Sequence, residues 1–180
     1  MLLNLIEMKV FKNFIFDVDG VFTDGSFYYS EEGKIIKMFG DADNDALSLI
    51  KNILHIEMVT GDKRGYNISK KRIQTDMGYP INLVSTFKRA EWIKERFNPK
   101  ETIYMGDGIY DPLVFKEVGY SIAPANAFYN TKKYANFITN ARGGNGAVAE
   151  AIIHIYQNIL GKKFDVFDLD FTKGSGNWKS

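Results

Sequence analysis

Two aspartates separated by one residue, Asp17 and Asp19, close the segment Asp17-Val18-Asp19-Gly20. Neighbouring carboxylates repel, and the pair becomes tolerable when a divalent cation or a shared proton lies between them. A second acidic pair, Asp107 and Asp111, follows Gly106 far along the chain, and Thr60-Gly61 and Lys88 lie between. Carboxylates with a threonine hydroxyl and one ammonium make an oxygen-rich site suited to Mg²⁺. An Asp-rich turn facing solvent would account for Asp17 and Asp19 alone, but not for the matching residues further on.

The elements between these residues must bring them together. Phe14-Ile15-Phe16 is a short apolar run, expected as a strand buried on both faces. Ser26–Ser30 and Lys34–Phe39 read as a β-hairpin turning at Glu31-Glu32-Gly33. Helical spacing of Ala46, Leu47, Ile50, Ile53 and Leu54 predicts a helix from Asp43 to His55. Strands are then expected at Ile56–Thr60, Ile81–Ser85, Thr102–Met105, Tyr120–Ala123 and Asn136–Thr139. Helices are expected at 63–77, 88–97, up to Val118 and 147–160, the last entered through the turn Gly143-Gly144-Asn145-Gly146. Alternating strands and helices predict an α/β fold, a doubly wound, mostly parallel sheet. In such a sheet ligands bind beyond the carboxyl ends of the strands, where Asp17, Asp19, Thr60, Lys88 and Asp107 all fall. Residues 1–161 read as one domain with the hairpin at about 26–39, and 162–180 as a C-terminal tail whose aromatic residues favour docking on this subunit or a neighbour.

Composition narrows the function further. The 180 residues are 45% apolar and 25% charged, too apolar for disorder. Lys and Arg number 23 against 22 Asp and Glu, so no whole-chain field favours nucleic acid or an anionic membrane. Without cysteine there is no disulfide framework, thiolate nucleophile or zinc–thiolate site, and a cytoplasmic address is expected. No apolar run approaches the roughly 18 residues of a membrane span. His55 and His154 lack supporting ligands and read as structural, and the basic run Lys70-Lys71-Arg72 reads as a solvated helix face. The GGNG segment reads either as a plain turn or as a phosphate cradle at a helix start.

In order, DVDGV (17–21), VTG (59–61), Lys88 opening a helix and GDGIYD (106–111) resemble the motifs of the haloacid dehalogenase superfamily, over about residues 10–160. The segments DVDGVFTDGSFYY (17–29), KMFGDAD (37–43) and GGNGAVAE (143–150) are similar to its small capless branch, the octulosonate 8-phosphate and nonulosonate phosphatases. The stretch from Asp19 to Thr60 is filled by the hairpin and first helix, leaving no room for a cap domain. The resemblance implies a Rossmann-like core and a Mg²⁺-dependent phosphatase acting on a small acidic sugar phosphate, a small-molecule phosphate monoester. Asp17 would be the nucleophile and Asp19 the general acid and base. Thr60, Gly61 and Lys88 would bind the phosphoryl group. Asp17, the Asp19 carbonyl and Asp107 would hold the metal, with Asp111 orienting Lys88 or a metal-bound water. A carboxylate attacking a phosphate monoester meets like charge, about 4 kcal/mol per pair at 4 Å and an effective dielectric near 20. Mg²⁺ and the lysine would offset it.

The resemblance also implies a homotetramer in which hairpins and tails cover the open sites of neighbours. Three departures stand out. Gly108 replaces a second aspartate after Asp107, which implies weaker Mg²⁺ binding. Asp62 replaces an arginine after Gly61, leaving Arg64 to meet a sugar carboxylate from a shifted position. Asp43-Asn44-Asp45-Ala46 replaces a DG-x-G segment, with Asp43 the remaining candidate for substrate contact. Two other functions compete: a catalytically weak homologue acting as a scaffold, and a receiver-like phosphoacceptor module. The receiver reading is disfavoured because its phosphoacceptor lies on a middle strand.

Overall fold

A computed structural model describes residues 10–168. Six strands form one sheet: β1 (Asn13–Asp17), β4 (His55–Thr60), β5 (Ile81–Leu83), β6 (Thr102–Met105), β7 (Tyr120–Ala123) and β8 (Phe137–Ile138). Every pairing is parallel, and the order is β5-β4-β1-β6-β7-β8. The separate antiparallel hairpin comprises β2 (Tyr28–Ser30) and β3 (Gly33–Ile36). β1 is central, with β4 on one side and β6 on the other. Chain direction across the sheet reverses beside it, so the crevice beyond its carboxyl end is the expected ligand site.

The side-chain period of two along β1 sorts the core into two layers. Phe14 and Phe16 face one side, packing with Met58, Met105, Leu47, Val148 and Ile152. These contacts seat α1 (Ala42–Leu47) and α6 (Ala147–His154). Ile15 faces the other side with Val59, Tyr104, Ile93, Val114 and Phe115, which seats α3 (Arg89–Arg96) and α4 (Pro112–Phe115). Asp17, two residues beyond Ile15, therefore lies on the α3 and α4 face. α2 (Tyr66–Lys70) and α5 (Tyr129–Lys132) complete the layers.

Three helices differ from expectation, one of them the helix expected at 147–160, which is α6 running into a π turn over Ile155–Ile159. The first helix ends at Leu47 and continues as turns, because the Ser48 hydroxyl donates to the Asp45 carbonyl (2.6 Å) and the amides of Leu49, Ile50 and Ile53 bond three residues back. Ile50 and Leu54 remain buried. The helix expected at 63–77 is α2 running into a π turn over Lys71–Asp76. In the tail, Phe167 is exposed, and residues 169–180 of the docking expectation lie outside the described residues. Among the described residues, no helix is long and apolar enough to cross a membrane.

Candidate active site

Asp17 ends β1 at 6% exposure. Its Oδ1 accepts the Val18 amide (2.8 Å) and its Oδ2 accepts Nη1 of Arg89 (2.7 Å). Asp107 and Asp111 enter from the loop after β6, and carboxylate oxygens of Asp17, Asp107 and Asp111 all lie within 4.8 Å of one another. The Asp111 Oδ1 accepts the Tyr104 hydroxyl (2.8 Å) and Arg89 Nη1 (3.2 Å), while its Oδ2 accepts the Gly108 amide (2.8 Å). Arg89 also donates to the Tyr104 hydroxyl (2.7 Å). Burial raises the phenol of Tyr104 well above its usual range, so it serves as the donor to Asp111.

Lys88 is corrected by this geometry. Its side chain is 71% exposed and its ammonium pairs with Glu91 (2.8 Å), away from the carboxylates. Arg89 holds the cationic position instead, at 1% exposure. The reason is helical phase: Arg89 lies one turn before buried Ile93, whereas Lys88 lies on the stripe of Glu91 and Glu95. Extending the apolar stripe of α3 backwards was the signal available in the sequence.

Thr60 and Asp19 do come together, since the Thr60 hydroxyl donates to Asp19 Oδ2 (2.7 Å). The other Asp19 oxygen pairs with Lys37 (2.6 Å). The Asp19 side chain thus stands apart from the carboxylate trio, where Asp111 joins Asp17 and Asp107. Asp111, expected to orient Lys88 or a metal-bound water, contacts Arg89 instead of Lys88. Gly61 and Arg64 lie exposed on the loop after β4. Asp43 is corrected too: it is fully buried, and its Oδ1 accepts the Ala149 amide (3.0 Å), tying α1 to the start of α6 instead of facing a substrate.

The GGNG segment braces the loop after β1. Gly143 donates to Asn126 Oδ1 (2.6 Å), whose Nδ2 donates to the Gly20 carbonyl (2.8 Å), and Gly144 donates to the Val21 carbonyl (3.1 Å). A Cβ at Gly143 would overlap the Gly20 backbone, so these glycines permit contact between loops and their amides are already engaged. Gly20 itself has φ +86° and faces the Asp107 carboxylate where a Cβ would stand. Asn126, Tyr104 and Arg89 carried no motif signal in the sequence. His55 bonds Glu57, and His154 bonds Tyr120 and stacks on Phe137, both structural as expected.

Burial, opposed by Arg89 and reinforced by Asp111, pushes Asp17 up to about 7. Burial and the nearby Asp17 charge push Asp107 up to about 8. These acids lack enough positive charge. When ionised, Asp17, Asp19, Asp107 and Asp111 face Arg89 and Lys37, leaving the two excess negative charges that one divalent cation cancels. The donor set is all oxygen, which fits Mg²⁺. Asp17 and Asp107, with Asp111 beside them, are the carboxylates that would hold it.

A phosphoryl-transfer site at the carboxyl edge of a doubly wound sheet is what this geometry defines. Residues 93–152 match the haloacid dehalogenase-like hydrolase family. The chain is 30% identical over 143 residues to 3-deoxy-D-manno-octulosonate 8-phosphate phosphatase of Yersinia pestis, covering 76% of this chain and 74% of that protein. It is 28% identical to the Haemophilus influenzae phosphatase of the same name, covering 90% of this chain and 91% of that one. The Moraxella catarrhalis phosphatase, solved with magnesium, phosphate and a KDO molecule, superposes with a TM-score of 0.70 at 26% identity over 83% of this chain and 88% of its own. The chain belongs to the haloacid dehalogenase-like hydrolases, within the capless branch that holds the 3-deoxy-D-manno-octulosonate 8-phosphate phosphatases, and is a phosphoric monoester hydrolase.

Proposed function

We propose that the protein is a Mg²⁺-dependent phosphatase of a small acidic sugar phosphate, of octulosonate or nonulosonate type, working through a phosphorylated Asp17. The observation that carries this reading is a buried carboxylate at the end of the central strand, held by Arg89 beside two further carboxylates. In the first step an Asp17 oxygen attacks phosphorus, the ester P–O bond breaks, and Asp19 gives its proton to the leaving oxygen. In the second, Asp19 takes a proton from water, whose oxygen attacks phosphorus and releases Asp17 and inorganic phosphate. Thr60 holds Asp19 for both transfers, and Arg89 orients Asp17. Mg²⁺, held by Asp17, the Asp19 carbonyl and Asp107, would supply the positive charge that offsets repulsion between nucleophile and phosphate. Because the single Thr60 hydroxyl proton goes to Asp19, the phosphoryl oxygens are assigned to the Gly61 amide, and exposed Arg64 is assigned to the sugar carboxylate.

The related Moraxella enzyme, solved with magnesium, phosphate and a KDO molecule, supports the same chemistry. A panel of sugar phosphates with and without Mg²⁺, including octulosonate 8-phosphate and nine-carbon 9-phosphates, tests the reading. Acidic sugars are expected to lead, and neutral hexose phosphates outperforming them would sink the substrate class. A cytoplasmic setting suits such a substrate.

Residues 1–161 are assigned to the catalytic core and 162–180 to a tail reaching a neighbouring subunit of a homotetramer. The hairpin supports this, since Tyr28, Tyr29, Ile35, Ile36 and Met38 are all more than half exposed. Light scattering is expected to give a tetramer that Ile36→Glu dissociates. A fully active wild-type monomer would remove the assignment.

A further inference from the structure

We propose that Lys37, from the exit of the hairpin, is the positioning residue that sets the Asp19 carboxylate and couples it to the hairpin. The assignment rests on the reading of Asp19 as the proton donor. Lys37 has no exposed side-chain surface. Its ammonium forms ion pairs with Asp19 Oδ1 at 2.6 Å and Asp62 Oδ2 at 2.9 Å and donates a hydrogen bond to Ser69 Oγ at 2.8 Å. They come from the loop after β1, the loop after β4 and helix α2, so the position of the nitrogen is fixed from three directions. Neutralising Asp19 would need one contact; this arrangement also defines where the charge sits.

The far oxygen of Asp19 receives the Thr60 hydroxyl at 2.7 Å. With Thr60 on one oxygen and Lys37 on the other, rotation of the carboxylate breaks a charged contact, a hydrogen bond or both. The hairpin enters through its second strand. Lys34 on β3 pairs with the same Asp62 oxygen (2.5 Å), and both lysine nitrogens lie near the Phe27 ring, at 3.2 Å for Lys34 and 5.6 Å for Lys37. Space for the cluster depends on Gly65, where a Cβ would collide with the Asp62 carboxylate and the stems of both lysines. Gly65 has φ −100°, a value any residue can adopt, so alanine there would disturb the cluster without straining the backbone. A movement of the hairpin therefore reaches the catalytic acid through Lys37.

Leaving-group dependence separates this role from a structural one. kcat/KM covers the steps up to ester cleavage, in which an alkyl leaving oxygen needs the Asp19 proton and the 4-nitrophenolate ion does not. In Lys37→Met, kcat/KM for the sugar phosphate substrate is expected to fall about 100-fold, the scale of a misplaced catalytic group. With 4-nitrophenyl phosphate the expected fall is less than about 3-fold, since proton transfer contributes little there. Asp19→Asn should show the same split, and adding Lys37→Met to it should cost little more. Equal losses on the two esters, or no loss on either, would overturn the proposal. If Lys37→Met does not fold, Gly65→Ala decides, with a selective loss of about 10-fold expected on the sugar phosphate and an equal or absent loss overturning it. A wild-type protein that cleaves neither ester would instead refute the phosphatase reading itself.

Discussion

Asp17 and Asp19 share one short loop, yet their carboxylates are held by cations of different origin. Arg89 grips Asp17 from the layer of α3 and α4, within a closed set of buried partners, Tyr104 and Asp111. Lys37 grips Asp19 from the opposite flank, carried by a hairpin that pairs with no strand of the main sheet and leaves most of its apolar side chains exposed. Asp17, which as the proposed nucleophile must keep one geometry through both chemical steps, is supported by the core. Asp19, the proposed proton carrier, is supported by an element that other surfaces can reach. A single scaffold thus gives two neighbouring carboxylates different mechanical environments.

The largest expected effect lies on the core side. Asp17→Asn should remove about 10⁴-fold or more of the turnover, because no neighbouring group replaces a covalent nucleophile; unchanged phosphate release would remove Asp17 from that role. Arg89→Met should cost about 3–5 kcal/mol of stability, since Asp17 and Asp111 would lose their buried counter-charge. Denaturant unfolding measures it, and Lys88→Met, at an exposed position, should leave both stability and activity within error. A reversal of those two outcomes would return Lys88 to the site.

Mg²⁺ should come next. At 100 times its dissociation constant it should stabilise the fold by about 2.7 kcal/mol, read as a rise in the thermal midpoint that EDTA reverses. Gly108→Asp should tighten Mg²⁺ about tenfold by calorimetry, an added carboxylate being worth about 1.4 kcal/mol on that scale. A Cβ at Gly108 would stand 3.4 Å from Asp111 Oδ2, an ordinary contact, so the residue fits.

On the hairpin side the expected effect is smaller and shows in pH. Burial would raise Asp62, but Lys34 and Lys37 bring it down to about 2. A depressed carboxylate adds stability that is fully present above its unfolded value near pH 4 and is lost as pH falls through about 2. Asp62→Asn should therefore flatten the acid limb of stability between about pH 4 and 2. An unchanged acid limb would show that the hairpin lysines are not anchored there.

Much of the scaffold was legible in the chain. Strands such as Phe14–Phe16 and Thr102–Met105 announce themselves because a strand buried on both faces must be apolar throughout. The Asp17 and Asp107 loops were visible because acidic residues beside glycine, directly after an apolar strand, mark a polar turn at the edge of the sheet where ligands bind. Arg89 offered only the phase of the α3 stripe as a signal and Tyr104 offered none, since each looks like an ordinary member of its element until the second layer of the core turns it inwards. Lys37 was hidden for another reason: its three partners are 18, 25 and 32 positions away, as Asp19, Asp62 and Ser69.

The order of polar and apolar residues along the chain was enough to determine the alternating elements, the strand ends that carry carboxylates and the absence of a cap between Asp19 and Thr60, because those features depend on local periodicity and chain length. Which cation faces which carboxylate was decided by packing. Helical phase turned Arg89 inwards and Lys88 out, and the docking of the hairpin buried Lys37 against Asp19. Side-chain direction depends on the layer an element packs against, and that layer exists only once the chain has folded.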